Sequence, residues 1–103
     1  MIARIWQGMT AVDNADKYAV FLNVRAIPDY RGTPGNLSVH ILGRDEGDRT
    51  HFITLTFWES IETIKGFAGD PVDRAKYYPE DKDLLLEFES KVQHWEIVGS
   101  AQS

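Results

Sequence analysis

The amino-acid sequence predicts an α+β fold of the ferredoxin-like type, with the order β-α-β-β-α-β and an antiparallel sheet. Three observations predict it. Segments of alternating polar and apolar residues stand near both ends of the chain and in its middle, as strands require. Two segments with apolar residues at helical spacing separate these strands. The polar turn DEGD, residues 45–48, lies between the two central strands and predicts a hairpin.

Length and charge limit the classes of protein to which the chain can belong. Its 103 residues match one domain, 1–103, of ordinary globular composition. The 16 acidic and 11 basic side chains give a net charge of -5, which repels nucleic acid and anionic lipid surfaces. No apolar segment approaches the roughly 18 residues of a membrane helix. We therefore expect neither a nucleic-acid partner nor a membrane partner.

The cysteine count and the first residues favour the cytoplasm as the compartment. The sequence contains no cysteine, which excludes disulfides and thiolate chemistry. The first ten residues, MIARIWQGMT, alternate in polarity and carry a single side-chain charge, at Arg4. This pattern is typical of neither a signal peptide nor a transit peptide.

The first predicted strand, Ile2 to Met9, has apolar residues on both of its faces. One face carries Ile2, Arg4 and Trp6, and the other carries Ala3, Ile5, Gln7 and Met9. A strand with this pattern is covered on both sides. Helices packed on one side of a lone sheet cover only one face. The pattern therefore indicates a homodimer, with a second copy of the chain on the open face.

The first predicted helix opens at Asp13, whose carboxylate suits the N-cap position and the positive end of the helix dipole. Its buried stripe is expected at Ala15, Tyr18, Ala19, Leu22 and Ala26. Pro28 disfavours helical geometry at Ile27, so the helix is predicted to end there. A turn-rich segment follows.

The hairpin consists of two predicted strands, Leu37 to Arg44 and Thr50 to Trp58, which are rich in β-branched and aromatic residues. A turn centred on Glu46 and Gly47 places alternate residues of both strands on common faces. One face then carries His40, Leu42, His51, Ile53, Leu55 and Phe57. The other carries Val39, Ile41, Phe52, Thr54, Thr56 and Trp58.

The second predicted helix follows the hairpin directly. Ser60 is its expected N-cap, and Gly69 suits the position just after its last turn. Its apolar stripe consists of Ile61, Ile64, Phe67 and Ala68. Asp70 and Pro71 then supply a new cap and a proline at the first position, which predicts a short helix over Val72 to Tyr77.

The remainder of the chain is predicted as a loop followed by a final strand. The loop covers residues 78–83, whose acidic side chains alternate with lysine and suit a solvated surface. Leu84 to Leu86 fit either one helical turn or a buried extended segment, because periodicity cannot separate the two. Val92 to Val98 alternate in polarity and form the last predicted strand.

The strand–helix junction Trp58-Glu59-Ser60, followed by Ile61, Ile64 and Phe67, resembles the antibiotic biosynthesis monooxygenase (ABM) family. The flanking segments DYRGTPGN, HILGRDEGDR and YYPEDKDLLLEFE resemble an uncharacterised subgroup of that family. The resemblance covers about residues 2–98. It implies a dimeric α+β barrel, in which two sheets pack face to face and each subunit holds a pocket between its sheet and its helices.

The resemblance also implies a function. Some members oxidise aromatic polyketides with neither metal nor flavin, so no cofactor is expected, and the substrate is a small aromatic or conjugated metabolite. Such a site needs a proton acceptor, an anion stabiliser and a dry aromatic pocket. The candidate walls are Trp6, Trp58, Phe67, Tyr77 and Tyr78, and the candidate polar contacts are Gln7, Arg44 and Tyr77.

Two other functions compete with the cofactor-independent oxygenase. The main alternative is a non-catalytic homodimer that binds a small molecule or serves a stress response. The other is haem binding or degradation. Haem-degrading members use an Asn, a Trp and an iron-ligating His at positions that correspond here to Trp6 or Gln7, to Phe67 and to Tyr77. Because all of these residues differ, the resemblance argues against haem degradation.

Several of these side chains have structural interpretations as well. Trp58 at the junction suits the core, and the hydroxyls of Tyr77 and Tyr78 would anchor the adjacent loop. His40, His51 and His94 lack the spacing of a metal site, so no metal is expected. Arg44 and Arg49 flank the acidic turn and are predicted to form ion pairs with it.

Overall fold

A computed structural model describes residues 1–101, which form one antiparallel sheet with the helices packed against one of its faces. The strands are β1 (Ile2–Ala11), β2 (Asn36–Glu46), β3 (Arg49–Trp58), β4 (Leu85–Phe88) and β5 (Gln93–Glu96). The helices are α1 (Ala15–Phe21), α2 (Ile27–Arg31), α3 (Ile61–Ala68) and α4 (Pro79–Leu84). The sheet order β2-β3-β1-β4 confirms the predicted α+β fold.

The last strand of the predicted pattern is divided in two. β4 pairs with residues 8–10 of β1, and β5 pairs with residues 2–5 along the same edge. Between them the chain leaves the sheet: the Val92 amide donates to the Asp73 carbonyl at 2.8 Å, and the Ser90 carbonyl accepts from the Ala75 amide at 3.0 Å. β5 is therefore shorter than the predicted strand Val92 to Val98.

The two faces of β1 are those predicted. On its even-numbered face, Arg4, Trp6 and Thr10 are buried beneath the helices. Gln7 and Met9 lie on the opposite face, which no helix covers. In β3 the same alternation buries Phe52, Thr54, Thr56 and Trp58 on the helix side.

The hairpin has the predicted faces but a different turn. Glu46 pairs with Arg49, so the two turn residues are Gly47 and Asp48, with φ of 70° at Gly47. The predicted centre was wrong by one residue. A shift of the turn centre by one residue changes each pairing by two positions, which keeps every side chain on its face. His40, for example, pairs with Leu55.

The first helical region differs from the prediction at both ends. Asp13 is not its N-cap: it lies in a 3₁₀ turn, Val12–Asn14, and no side chain caps the start of either this turn or α1. Pro28 does not end the helix, which continues through α2 to Arg31. A π-helical segment, Leu22–Ala26, precedes Pro28. The turn before Pro28 is wider than an α-helical turn, because the Ile27 amide bonds to the Leu22 carbonyl five residues back, and a proline is tolerated after such a turn.

The strand–helix junction after β3 forms as predicted. The Ser60 hydroxyl accepts the Thr63 amide at 3.3 Å, and the Thr63 hydroxyl accepts the Ser60 amide at 3.3 Å, which together make a reciprocal cap. Ile64 and Phe67 are the buried residues of α3. Gly69 ends the helix with a φ of 76°, a value that favours glycine.

The predicted short helix over Val72 to Tyr77 is wrong. This segment is irregular, because several of its main-chain groups bond to distant parts of the chain rather than to each other. The carbonyls of Val72 and Arg74 accept from the Arg4 guanidinium, and Ala75 bonds to Ser90. The segment predicted as a loop contains α4, in which Asp81 accepts the Tyr78 amide at 2.7 Å. The open alternative for Leu84 to Leu86 is divided: Leu84 is the last residue of α4, whereas Leu85 and Leu86 begin β4.

Two groups of buried side chains fill the space between sheet and helices. The larger group consists of Trp6, Tyr18, Leu22, Ala26, Phe52, Ala75, Leu85 and Val92. The smaller group consists of Trp58, Ile64 and Phe67, with Trp58 fully buried. Within residues 1–101, no helix has both the length and the apolar character that crossing a bilayer requires.

Candidate functional site

A small cavity lies between the sheet and the helices. This is the place where the resemblance to the ABM family implies a pocket. Its volume is about 20 Å³, which suffices for one water molecule. Its aromatic walls are Trp6, Tyr18, Tyr30, Tyr77 and Tyr78. Its charged lining consists of Arg4, Lys76 and Asp81. The cavity is thus walled by phenol and indole rings and contains charges of both signs.

The Arg4 side chain is only 2% exposed, although it carries a full charge. Its guanidinium donates to the carbonyls of Val72 at 2.8 Å and Arg74 at 3.1 Å, and lies 2.9 Å from His94 Nε2. It also stands 5.9 Å from the centre of the Phe67 ring. Burial lowers the pKa of Arg4, although it does so from a value so high that the side chain stays charged. β1 therefore places an enclosed cation at the cavity.

Tyr30 faces the same cavity from α2. Its ring stacks on Phe67, with centroids 4.2 Å apart and planes 17° apart, and meets Trp58 edge to face. Burial raises the pKa of Tyr30 to about 12, against the opposing effect of the Arg4 charge. Among the hydrogen bonds of residues 1–101, none involves the Tyr30 hydroxyl. The side chain of Tyr30 is therefore a neutral phenol, and the contacts that hold it are those of its ring.

Tyr77 separates the cavity from a larger groove outside it. Its hydroxyl accepts from Trp6 Nε1 at 2.8 Å and donates its one proton to the Glu89 carbonyl. The groove has a volume of about 550 Å³ and is largely apolar. Phe88, whose ring centroid is 5.0 Å from that of Tyr77, lines it together with Arg74. Tyr77 thus lines both the small cavity and the larger groove.

Tyr78 and Lys76 are held by one carboxylate on α2. Asp29 accepts from the Tyr78 hydroxyl and from Lys76 Nζ, the latter at 2.8 Å. Burial of Asp29 raises its pKa, but the bonds from Lys76 and Tyr78 and the Lys76 charge outweigh this, and the net pKa is lowered. Lys76 Nζ also lies 4.4 Å from the centre of the Phe67 ring. This arrangement supports the structural interpretation of the Tyr78 hydroxyl.

Asp81 and His94 are the titratable groups beside the aromatic walls. Asp81 accepts the Tyr18 hydroxyl at 2.8 Å, and burial raises its pKa in spite of this bond and the bond from the Tyr78 amide. Burial lowers the pKa of His94, as does the Arg4 charge, while Asp73 opposes them. Because a guanidinium can only donate, the contact with Arg4 requires a neutral His94 whose Nε2 accepts the hydrogen bond.

The structure brings together three of the predicted pocket residues, Trp6, Tyr77 and Tyr78, at the cavity. Trp58 and Phe67 lie beside it in the smaller core group. Gln7 and Arg44 lie on the opposite face of the sheet. There Gln7 bonds to His51 at 2.8 Å, and Arg44 bonds to Glu46 at 2.9 Å.

Sequence reasoning missed several residues that line the cavity, among them Arg4 and Tyr30 and also Tyr18, Lys76 and Asp81. A signal for Arg4 was present, because it shares a strand face with Ile2 and Trp6 that helices were expected to cover. A charged residue on a covered face is unusual and needs a partner. Tyr30 had no such signal, since the helix was predicted to end before it.

The remaining polar candidates belong to the surface. Arg49 pairs with Glu87 rather than with the acidic turn, while Arg44 pairs with Glu46 of that turn as predicted. His40 and His51 share a face, as predicted. Within the described part of the chain, no three His, Cys, Asp or Glu side chains converge on a common point that would hold a metal ion.

Comparison with solved structures identifies the fold. A candidate antibiotic biosynthesis monooxygenase from Bacillus cereus matches with a TM-score of 0.70 over 99% of this chain and 97% of its own, at 10% identity. The chain has an ABM-like fold. A second such candidate, from Chloroflexus aurantiacus, matches this ABM-like fold with a TM-score of 0.59 at 17% identity, over 98% and 96% of the two chains.

A haem-degrading protein has the same fold. MhuD from Mycobacterium tuberculosis, in a structure with two haems bound in its active site, matches with a TM-score of 0.61 at 17% identity, over 99% of this chain and 100% of its own. At such identities the likeness concerns the fold alone. No family model matches the sequence, and the search of curated proteins found no match.

Proposed function

We propose that this chain is a homodimeric, monooxygenase-like protein that acts on a small aromatic or conjugated molecule without a bound cofactor. The observation that carries the proposal is the aromatic-walled cavity behind Tyr77, with a buried cation at its wall. The ABM-like fold supports the reaction class. The proposed compartment is the cytoplasm, on the basis of the cysteine-free sequence.

The proposed reaction draws its electrons from the substrate. A CH₂ group beside a conjugated carbonyl or phenol loses a proton, and the resulting carbanion or enolate reduces O₂. One oxygen atom stays on that carbon as a carbonyl and the other leaves as water with the two hydrogens, so no outside reductant is consumed. The protein would enclose the anion among its rings and stabilise its charge with Arg4.

The substrate must displace a side chain to enter. A cavity of about 20 Å³ is far below the roughly 300–1,000 Å³ of pockets that hold drug-sized molecules. The groove of about 550 Å³ lies on the other side of Tyr77. Rotation of Tyr77 out of its bonds with Trp6 and Glu89 joins the two spaces. We infer that entry proceeds from the groove by this rotation.

The small volume of the cavity also favours the second candidate function, a non-catalytic ligand-binding homodimer. The hydroxyls of Tyr77 and Tyr78 are both bonded within the chain, as a structural role requires. In that case the ligand is held but not oxidised. Haem is the remaining alternative, supported by the fold of MhuD and opposed by the residues that stand at the haem-contacting positions. A titration that follows the Soret band decides it, since a saturable shift would establish haem binding.

The proposed homodimer forms through the open face of the sheet. That face carries Ile5, Ile53, Leu55 and Phe57 together with Leu42, which is 45% exposed, and Trp95, which is 59% exposed. Such a contiguous apolar face is unfavourable in water. A second copy would bury it against the same residues, so that two sheets pack about 10 Å apart.

Oxygen uptake tests the proposed reaction. We expect a panel of phenols and enolisable diketones to include compounds that raise the melting temperature and consume O₂. Tyr77→Ala, which opens the cavity, is expected to change the rate at least severalfold, whereas Val24→Ala on the exposed outer surface of the helix is the matched control. Ligand binding without O₂ uptake would establish the non-catalytic candidate. Failure of every compound to bind or react would refute both.

A further inference from the structure

We propose that the ligand of this cavity is an anion, whose carboxylate or enolate oxygen is held by the Arg4 guanidinium and the Tyr30 hydroxyl. The inference rests on the proposed ligand site but not on the oxygenase reaction. It holds equally for a protein that only binds its ligand. It also names two residues that the sequence did not single out for the site.

The first step is the uncompensated charge of Arg4. Within residues 1–101 no carboxylate forms an ion pair with it, and its contacts are two carbonyls, a neutral imidazole and a ring. Asp73, which acts on Arg4 only through space, stands 3.9 Å from Lys91 at the surface. A buried cation without a negative partner is costly to maintain. A bound anion would supply the missing partner.

The second step concerns the N–H groups of Arg4 that have no acceptor within the chain. Guanidinium has five N–H groups in a planar fork. The observed bonds use two on Nη1 and one on Nη2, which leaves the Nε–H and one Nη2–H. Arg4 and Tyr30 line the same cavity. Arg4 thus brings N–H donors and Tyr30 an O–H donor to the wall of one cavity, a combination suited to an oxygen anion.

The third step concerns the other charged side chains that line the cavity. Asp81 also lines the cavity and would repel an anion, but its oxygens already accept from the Tyr18 hydroxyl and the Tyr78 amide. Lys76 lines the cavity as a second cation, although it is bonded to Asp29. The carboxylate of Asp81 is thus engaged by other donors, whereas Arg4 has donors to spare. The balance favours one negative charge beside Arg4.

A matched pair of probes tests the inference. Benzoate and benzamide have the same ring and nearly the same shape, and only benzoate is charged. In a thermal-shift titration of the chain, we expect saturable stabilisation by benzoate, with an apparent affinity roughly tenfold or more above that for benzamide. The same preference is expected in Tyr77→Ala, where the cavity is open and access no longer limits binding.

Variants separate ligand binding from structural roles. Tyr30→Phe removes a hydroxyl without a protein partner, so we expect the melting temperature of the free protein to stay within a few degrees while benzoate affinity falls severalfold. Arg4→Lys keeps the positive charge but loses the planar array of guanidinium N–H donors. We expect it to lose more benzoate affinity than Tyr30→Phe does. Lys17→Gln removes an exposed cation and is the control, with unchanged benzoate binding.

Each outcome decides a separate claim. Equal binding of benzoate and benzamide by the chain and by Tyr77→Ala would overturn the anion inference while leaving the ligand site intact. Absence of binding by both proteins would overturn both. A preference for benzoate that survives Tyr30→Phe and Arg4→Lys would place the anion elsewhere and would also refute the inference.

Discussion

At the scale of the residue, His94 connects protonation to the position of a buried charge. Its Nε2 atom accepts from Arg4, and Arg4 in turn bonds to Val72 and Arg74. Protonation of His94 would replace this hydrogen bond by the repulsion of two cations. The charged groups that act on His94 are Arg4 on β1 and Asp73 on the irregular segment.

This contact predicts a loss of stability on acidification. The pKa of His94 is lowered in the fold by burial and by Arg4, so the unfolded chain binds its proton more readily. Its contribution to stability is complete above the unfolded value of about 6.5 and is lost as the pH falls toward the folded value. We expect the melting temperature to fall between about pH 7.5 and about pH 5, and to fall less in His94→Gln. Equal slopes for the two proteins would contradict this.

Arg4 also shows which structural features can be predicted from the sequence and which cannot. Arg4 was placed on the correct strand face by alternation, because period 2 is a local property. That its guanidinium would meet main-chain carbonyls of residues 72 and 74 depends on contacts across 68 and 70 positions of the chain. No local pattern encodes such a contact.

At the scale of the element, α3 is positioned by the loop before β2 as well as by its own cap. A Cβ on Gly35 would lie 2.3 Å from Cβ of Thr63, so the loop touches the helix with no space between them. Gly35 also has a φ of 92°, and its carbonyl accepts the Glu59 amide at 2.9 Å. This glycine therefore fixes the distance between the loop and the strand–helix junction.

Gly35→Ala is predicted to lower the unfolding free energy by about 1–3 kcal/mol for backbone strain, with a further loss from the clash. Gly47→Ala is the matched control, because Gly47 has a φ of 70° but no atom within 4 Å of the position that an added methyl group would take. Chemical denaturation should therefore rank Gly35→Ala as clearly more destabilising. Equal losses would mean that the contact with Thr63 relaxes freely.

The elements that sequence reasoning predicted wrongly share one cause. The segment Val72 to Tyr77 has helical signals at its start, but its main-chain groups bond to Arg4 and to residues 90–92. The first helix passes Pro28 because a π-helical segment precedes it. In both cases the surrounding structure outweighs local propensity, which is a weak determinant of structure.

At the scale of the whole molecule, the proposed homodimer depends on the open face of the sheet. Phe57 lies on this face beside His40, with ring centroids 5.9 Å apart. Phe57→Glu is predicted to give a monomer that keeps its secondary structure, because the side chain points away from the helices. Sedimentation and far-ultraviolet circular dichroism measure these two properties.

Val24→Glu is the control, because it places the same charge on a helix surface where the valine is 72% exposed, and it should leave the dimer intact. A dimer that survives Phe57→Glu would contradict an interface at this face.

The sequence by itself determined the order of the main strands and helices, the faces of β1 and of the hairpin, and the capped junction at Ser60, because each depends on spacing within about ten residues. Alternation and helical periodicity are sufficient for such features. Only the tertiary structure decided that the cavity has a volume of about 20 Å³ and that Arg4 and Tyr30 both line it. Those features depend on where residues from β1, α2 and the segment before α4 come together. The packing of side chains that lie so far apart in the chain produces no periodic pattern in the sequence.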